Sequence, residues 1–303
     1  MNNTLGYHLV AFLTVAIWGS TFVFTKILLL NGLSPAQIFT LRFILAYILL
    51  LAFELLMKRS TFRLFCSSMK HELTMVALGI TGGSLYFLTE NAAMLYTTAT
   101  NTSLIVCSCP LFAMLLMAMF YRESERFTRI QLTGSVMACL GMAVVVLNGH
   151  FVLHLSPIGD MLAFCACLCW AVYSLLMKTA LKHYTTLFIT RKVFFYGLLT
   201  ITPYFILQPG FPSSGVLMSS DVIWNLLFLG VVASMICFLI WNWVISKLGA
   251  VVATNWVYFN PITTILFAWW LLNEQITHWF LIGTLLILVG MYLCDHKTTG
   301  KKI

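Results

Sequence analysis

PLFAMLLMAMFYRESERFTRIQLTGSVMACLGM, residues 110–142, and PITTILFAWWLLNEQITHWFLIGTLLILVGM, residues 261–291, share one frame. Each opens on a proline inside an apolar run, reaches a glutamate thirteen residues later (Glu123, Glu274) and continues to two glycines, Gly134 and Gly141 or Gly283 and Gly290. Each last glycine is followed by methionine, Met142 or Met291. Upstream, Leu78-Gly79, Phe87-Leu88, Asn91 and Ala99 match Leu229-Gly230, Phe238-Leu239, Asn242 and Ala250. The offset is 151 up to the glutamates and 149 after them, about half of the 303-residue chain. A fixed offset of that size is an internal repeat, and the rest of the chain is read around it.

Composition sets the solvent. The chain is 61% hydrophobic and 9% charged, whereas soluble domains carry roughly 25% charged residues. That apolar surface needs lipid. The net charge of +8 sits in the linkers and tail, so it does not point to nucleic acid. The nine cysteines fall almost entirely within apolar runs, the pattern of small buried residues rather than of a disulfide framework. The N-terminus lacks a basic leader and a small-residue cleavage site, so the first apolar run is expected to be a retained helix.

A helix needs about 20 apolar residues to cross a bilayer. Ten segments qualify: 9–30, 35–57, 74–95, 98–120, 130–147, 157–177, 185–206, 222–245, 250–272 and 277–294. The expected fold class is therefore an all-α integral membrane protein of ten transmembrane helices. Twelve of the seventeen basic residues fall in alternate linkers and the C-terminal tail, among them Lys58, Arg59, Arg63, Lys70, Arg122, Arg126 and Arg129. The opposite linkers hold none. This asymmetry expects both termini in the cytoplasm and the chain in the cell membrane, the inner membrane for a bacterium.

Five helices per repeat is an odd number, so the second copy enters from the opposite face. The expected units are residues 9–147 and 157–294, two inverted five-helix repeats. Buried basic residues follow the same symmetry: Trp18 and Lys26 match Trp170 and Lys178, and Arg42 matches Arg191.

Ten helices, inverted halves, the Trp18-Gly19-Ser20 opening and the Pro110, Glu123, Gly134, Gly141 frame resemble the EamA family of the drug/metabolite transporter superfamily. The resemblance covers 9–147 and 157–294. It implies a central cavity between the first four helices of each half, the fifth standing aside, and movement of small metabolites by alternating access. By their chemistry Arg42 and Arg191 could fork onto a substrate carboxylate or phosphate, but the resemblance implies that an arginine early in the second helix of each half serves architecture. The chain departs from internal symmetry at Glu90, whose repeat mate is Trp241.

Several residues are candidates to carry transport. Pro110 and Pro261 are expected to mark a hinge or broken helix beside a wet cavity, or else a static buried kink, because proline in a helix strips the carbonyls of Val106 and Val257 of their donors. Gly79, Gly83, Tyr86 and Glu90 are spaced as one helical face, matched by Gly230, Ser234, Cys237 and Trp241; the small residues suit close helix approach. Glu90 is the one carboxylate well inside a helix away from the basic linkers. Such a charge is a functional candidate by default, for a substrate amine or a coupling proton. Its structural alternatives are snorkelling to the outer surface and pairing with Lys26. Glu54 is expected to be solvated or paired with Lys58, and Glu123 and Glu274 to cap helix ends or pair with linkers. Trp18, Tyr86, Trp170, Trp241 and Tyr258 are candidate aromatic walls, and Asn101, Asn242, Asn255 and Asn260 candidate hydrogen-bonding groups. The spacing of Cys165, Cys167 and Cys169 brings only two thiols to one helical face, so no metal site is expected there.

No phosphate-cradling loop and no nucleophile–base–acid set is visible, so neither an enzyme nor a cofactor is expected. The leading reading is a secondary carrier exporting a small organic metabolite or amino acid. Its expected partners are that substrate and membrane lipid, with a coupling proton and a second copy of the chain as further candidates, and no nucleic acid. The alternatives are a membrane enzyme acting on a lipid-borne substrate, for which the inner linkers hold too few acidic groups, and a scaffold, for which the linkers are short.

Overall fold

The computed structural model describes residues 4–56, 64–121, 128–147, 156–208, 210–272 and 278–295, and every regular element among them is helical. Two long helices open the chain, α1 (Thr4–Leu30) and α2 (Pro35–Leu56). A third runs as α3 (Met69–Gly79) into α4 (Leu85–Tyr96) through a π-helical turn, Ile80–Ser84. Next come α5 (Ala99–Val106), α6 (Cys109–Phe120) and α7 (Arg129–Leu147), then α8 (Pro157–Ala180) and α9 (Thr186–Leu207). After the short α10 (Ser214–Leu217), α11 (Ser220–Leu227) passes through a second π-helical stretch, Phe228–Ile236, into α12 (Cys237–Leu248). The chain closes with α13 (Ala250–Asn255), a 3₁₀ turn Trp256–Phe259, α14 (Asn260–Leu272) and α15 (His278–Asp295).

Local chemistry sets the boundaries. Ser68, Thr98, Ser156 and Thr185 cap α3, α5, α8 and α9 by accepting a first-turn amide with the side-chain oxygen. Gly249, at φ 82°, divides α12 from α13 in a conformation that a side chain would strain. By length and composition six helices among the described residues are apolar enough to cross a membrane, beginning at Leu5, Pro35, Asn101, Pro157, Ser220 and Ala250, and two shorter apolar helices accompany them. In α9, Arg191 and Lys192 dilute the apolar run. The molecule is an all-helical membrane protein. Its outer faces carry large apolar side chains such as Ile48, Leu140, Leu199, Trp270 and Leu285, which only lipid solvates cheaply.

The α-helix changes at both prolines: α5 ends at Val106 and α6 begins at Cys109, while α13 runs through the 3₁₀ turn 256–259 into α14, so that Pro110 lies at the second position of α6 and Pro261 at the second position of α14. A proline there forfeits no needed donor. The Val257 carbonyl, expected to be stripped, accepts the Asn260 amide.

Packing exchanges partners between the halves. α2 lies on the 228–236 segment while α9 lies on α3 and the 80–84 turn; α1 packs against α14 and α12 while α8 packs against α6 and α4. α7 and α15 pack against each other, and the glycine frame is the reason. A Cβ on Gly290 would stand 2.5 Å from the Ala138 nitrogen and 2.6 Å from the Gly134 carbonyl oxygen, and one on Gly141 would stand 2.7 Å from the Ile287 nitrogen. Backbone meets backbone at these crossings, as small residues allow between membrane helices. Glu123 and Glu274 lie outside the described residues.

Candidate functional site

At the centre α1, α2, α4, α5, α6, α8, α12 and the turn leading into α14 enclose a cavity of about 30 Å³, room for on the order of two waters. Its frame is built from repeat mates: Trp18 and Trp170, Phe87 and Phe238, Val106 and Val257, Cys109 and Asn260, each pair 151 or 152 residues apart. Its charges are not symmetric. Arg42, Tyr86 and Glu90 all come from the first half.

The aromatic residues form one layer. Trp18 meets Trp170 edge-on at 5.4 Å between ring centroids, Phe238 at 5.7 Å and Trp241 at 5.0 Å. Trp170 also lies 5.1 Å from Tyr86. The Trp18 indole N–H donates to the Ala233 carbonyl at 2.9 Å, inside the second π-helical stretch. A π-turn frees backbone groups that an α-helix would consume, and such turns recur at working sites.

The polar groups are held tightly. Tyr86 donates its hydroxyl to Glu90 Oε1 at 2.8 Å. Glu90 is 7% exposed, so it does not snorkel, and Lys26 is not its partner: the Lys26 ammonium donates to the Met94 carbonyl at 2.6 Å. Arg42 Nε donates to Ser234 Oγ at 2.8 Å, and its guanidinium carbon stands 4.5 Å over the Phe87 ring. The Trp170 indole nitrogen and the Asn260 amide oxygen are buried without a hydrogen-bond partner among the described residues.

Of the aromatic and polar candidates read from sequence, Trp18, Tyr86, Glu90, Trp170 and Asn260 meet at this cavity. Trp241 lies against Trp18 at a tilt of 56°, fully buried. Asn242 is tied between neighbours instead, accepting from Tyr173 at 2.7 Å and donating to Thr190 at 2.8 Å. Asn101 donates to Asp160 at 2.7 Å and Thr97 at 2.9 Å near the start of α5. Asn255 and Tyr258 are buried off the cavity wall. The expected single face from Gly79 to Glu90 is split by the π-turn. Gly79 and Gly83 back onto Tyr196 and Gly197 of α9, while Tyr86 and Glu90 front the cavity.

A second cluster lies at the ends joined by the basic linkers. Glu54 is buried and receives Arg191 Nη1 at 2.9 Å, so the expected solvated role gives way to a pair with α9, which covers that end of α2; Lys58, its other expected partner, lies outside the described residues. Glu72, in the first turn of α3, is bound by Lys192 and Tyr196 and accepts the Cys66 amide at 2.7 Å. Burial pushes its pKa up, but the hydrogen bonds from Lys192, Tyr196 and Cys66 prevail and hold it down at about 2. Close by, a recess of about 490 Å³ opens between Val10, Phe53, Leu187, Ile240 and Trp243. Among the described residues no group of three or more His, Cys, Asp or Glu is placed to hold a metal.

Comparison with known proteins decides the family. The EamA-like transporter family matches residues 5–147 and again 157–294. The chain belongs to the EamA-like transporter family. An uncharacterized transporter of Archaeoglobus fulgidus is 28% identical over 96% of this chain and 97% of its own. A probable terminal-alkyne amino-acid exporter of Streptantibioticus cattleyicolor is 28% identical over 76% of each chain, and a probable amino-acid metabolite efflux pump of Escherichia coli is 25% identical over 93% and 92%. A solved crystal structure superposes at a TM-score of 0.73 with 18% identity, covering 95% of this chain and 96% of that one, which bears on the fold alone. As an EamA-like protein the chain is a membrane transporter, and its central cavity is the place to look for a transported molecule.

Proposed function

We propose that this EamA-like protein exports a small organic metabolite, an amino acid in the first instance, across the cytoplasmic membrane by alternating access. The observation that carries the reading is the central aromatic cavity with Glu90 buried in its wall, at the junction of the two matched stretches. The names of the relatives support the direction and the substrate class. The two family matches and the exchanged packing support ten membrane helices in two inverted halves, 9–147 and 157–294. The recess beside the basic linkers is then the cytoplasmic vestibule. Both termini lie on that side, and Pro110 and Pro261, each at a helix restart, are where the halves flex.

Glu90 is proposed to couple transport to protons. A carboxylate enclosed by aromatic rings and one tyrosine hydroxyl can exist neutral or charged according to its load, which is what coupling requires. Purified protein in liposomes, tested against a panel of amino acids and sugars, should move an amino acid, with a rate that depends on pH. Glu90→Gln should remain monodisperse in detergent and transport with no pH dependence. A variant that keeps the wild-type pH profile while losing yield would assign Glu90 to structure instead. Flux of sugars without amino acids would overturn the substrate class.

A further inference from the structure

We propose that Arg42 is the anion-recognising group of the cavity, that Ser234 positions it, and that the substrate is a zwitterion whose carboxylate faces Arg42 while its ammonium faces Glu90. This rests on the reading of the cavity as the transport site.

The two arginines occupy matched positions, 149 residues apart, and would be expected to do the same work. Their neighbours differ. Arg191 is neutralised by Glu54 at 2.9 Å, both side chains buried. Arg42 has no carboxylate within ion-pair distance among the described residues; its Nε is taken by Ser234, and Phe87 backs its plane. The repeat mate of Ser234 is Gly83, so no hydroxyl stands at the corresponding place in the first half. Holding Nε fixes the fork of the guanidinium, and the described residues offer its terminal nitrogens no hydrogen-bond acceptor. Arg42 is 2% exposed and lines the cavity.

Glu90 mirrors it. One carboxylate oxygen takes the Tyr86 hydroxyl, and the group fronts the same cavity without pairing to Arg42. Two opposite charges buried on one cavity and held apart by other partners are costly, because each lacks a full counter-charge. A molecule carrying both charges answers both. A carboxylate meets the guanidinium fork through two parallel hydrogen bonds, and an ammonium donates to the carboxylate. The unpartnered Trp170 N–H and Asn260 amide oxygen add one donor and one acceptor in the same wall. All charge comes from the first half and the second contributes rings and the Ser234 clamp, so the ligand is bound in one polarity despite the symmetric frame.

The test uses purified protein in liposomes and competition against labelled phenylalanine by three probes. These are phenylalanine, its methyl ester, which keeps only the ammonium, and 3-phenylpropionate, which keeps only the carboxylate. Wild type should prefer phenylalanine to either partial analogue by about tenfold or more, the scale of a charge-assisted hydrogen bond. Arg42→Lys and Ser234→Ala should weaken phenylalanine and phenylpropionate by a similar factor and leave the ester unchanged. Ser234→Thr, which restores a hydroxyl, should recover the loss. Glu90→Gln should weaken the ester and spare phenylpropionate. If Arg42→Lys fails to fold, Ser234→Ala and Ser234→Thr decide alone. Equal losses for acid and ester would overturn the role of Arg42 while leaving an amino-acid carrier standing. A wild type that moves sugars but binds none of the three probes would remove the zwitterion together with the amino-acid reading.

Discussion

Arg191 and Glu54 form a buried pair that ties the second half to the first, and their energetics are asymmetric. Assembling two charges in a low-dielectric interior gains little over an apolar pair, but removing one takes the counter-charge from the other. Glu54→Gln should therefore destabilise the protein by about 3–5 kcal/mol, read as a lower melting temperature in detergent, and the double change Arg191→Met with Glu54→Leu should recover most of it. Glu72 adds a pH signature. Its pKa is held at about 2 against an ordinary 4.5, so its contribution is complete above about 4.5 and is lost as pH falls toward 2. The difference in melting temperature between wild type and Glu72→Gln should shrink across that window; a difference that stays constant would show that the depressed carboxylate contributes nothing. Trp18, Tyr86, Glu90, Trp170 and Asn260, which share the cavity, were legible as candidates because charged, polar and aromatic groups inside an apolar run are conspicuous. The neighbours of Arg42 and Glu54 were not legible, for one reason. What distinguishes them is a partner 192 or 137 residues away, chosen by packing between helices that periodicity does not encode.

Among the elements, α7 and α15 test the meaning of the glycine frame. Their backbones meet at Gly134, Gly141 and Gly290 with no space for a methyl group. Gly134→Val and Gly290→Val should each cost about 1–3 kcal/mol by overpacking, lowering thermal stability and leaving the KM for substrate unchanged, because neither glycine borders the cavity. A raised KM at normal stability would instead link that helix pair to the transport site. The frame was legible because glycine and proline leave strong marks at fixed spacing. The π-helical stretches at 80–84 and 228–236 were not, since the residues that form them also suit an α-helix, and only the close approach of α9 and α2 accounts for the wider turn. Reading the third helix as a regular α-helix put four residues on one face that the π-turn divides between two. The prolines were legible too; what the sequence did not show is that the Val257 carbonyl regains a donor, the Asn260 amide, through a 3₁₀ turn.

For the molecule as a whole, the distribution of basic residues predicts which way the chain sits. Cysteines introduced into 148–156 and into 59–70 should label from opposite sides of the membrane, and labelling from the same side would reject ten helices with cytoplasmic ends. Composition made lipid the solvent, and the match of the EamA-like family over 5–147 and 157–294 agrees with a membrane transporter. The central cavity has a thermodynamic consequence. At about 30 Å³ it is too small for an amino acid, so this conformation is shut to the molecule it would carry. Measured affinity then reports two equilibria, parting of the helices and binding itself. If about one molecule in a hundred is parted at rest, the apparent Kd is about a hundredfold weaker than the intrinsic one. An antibody fragment that clasps the parted form from outside should tighten substrate binding by up to that factor without touching a single residue of the cavity wall.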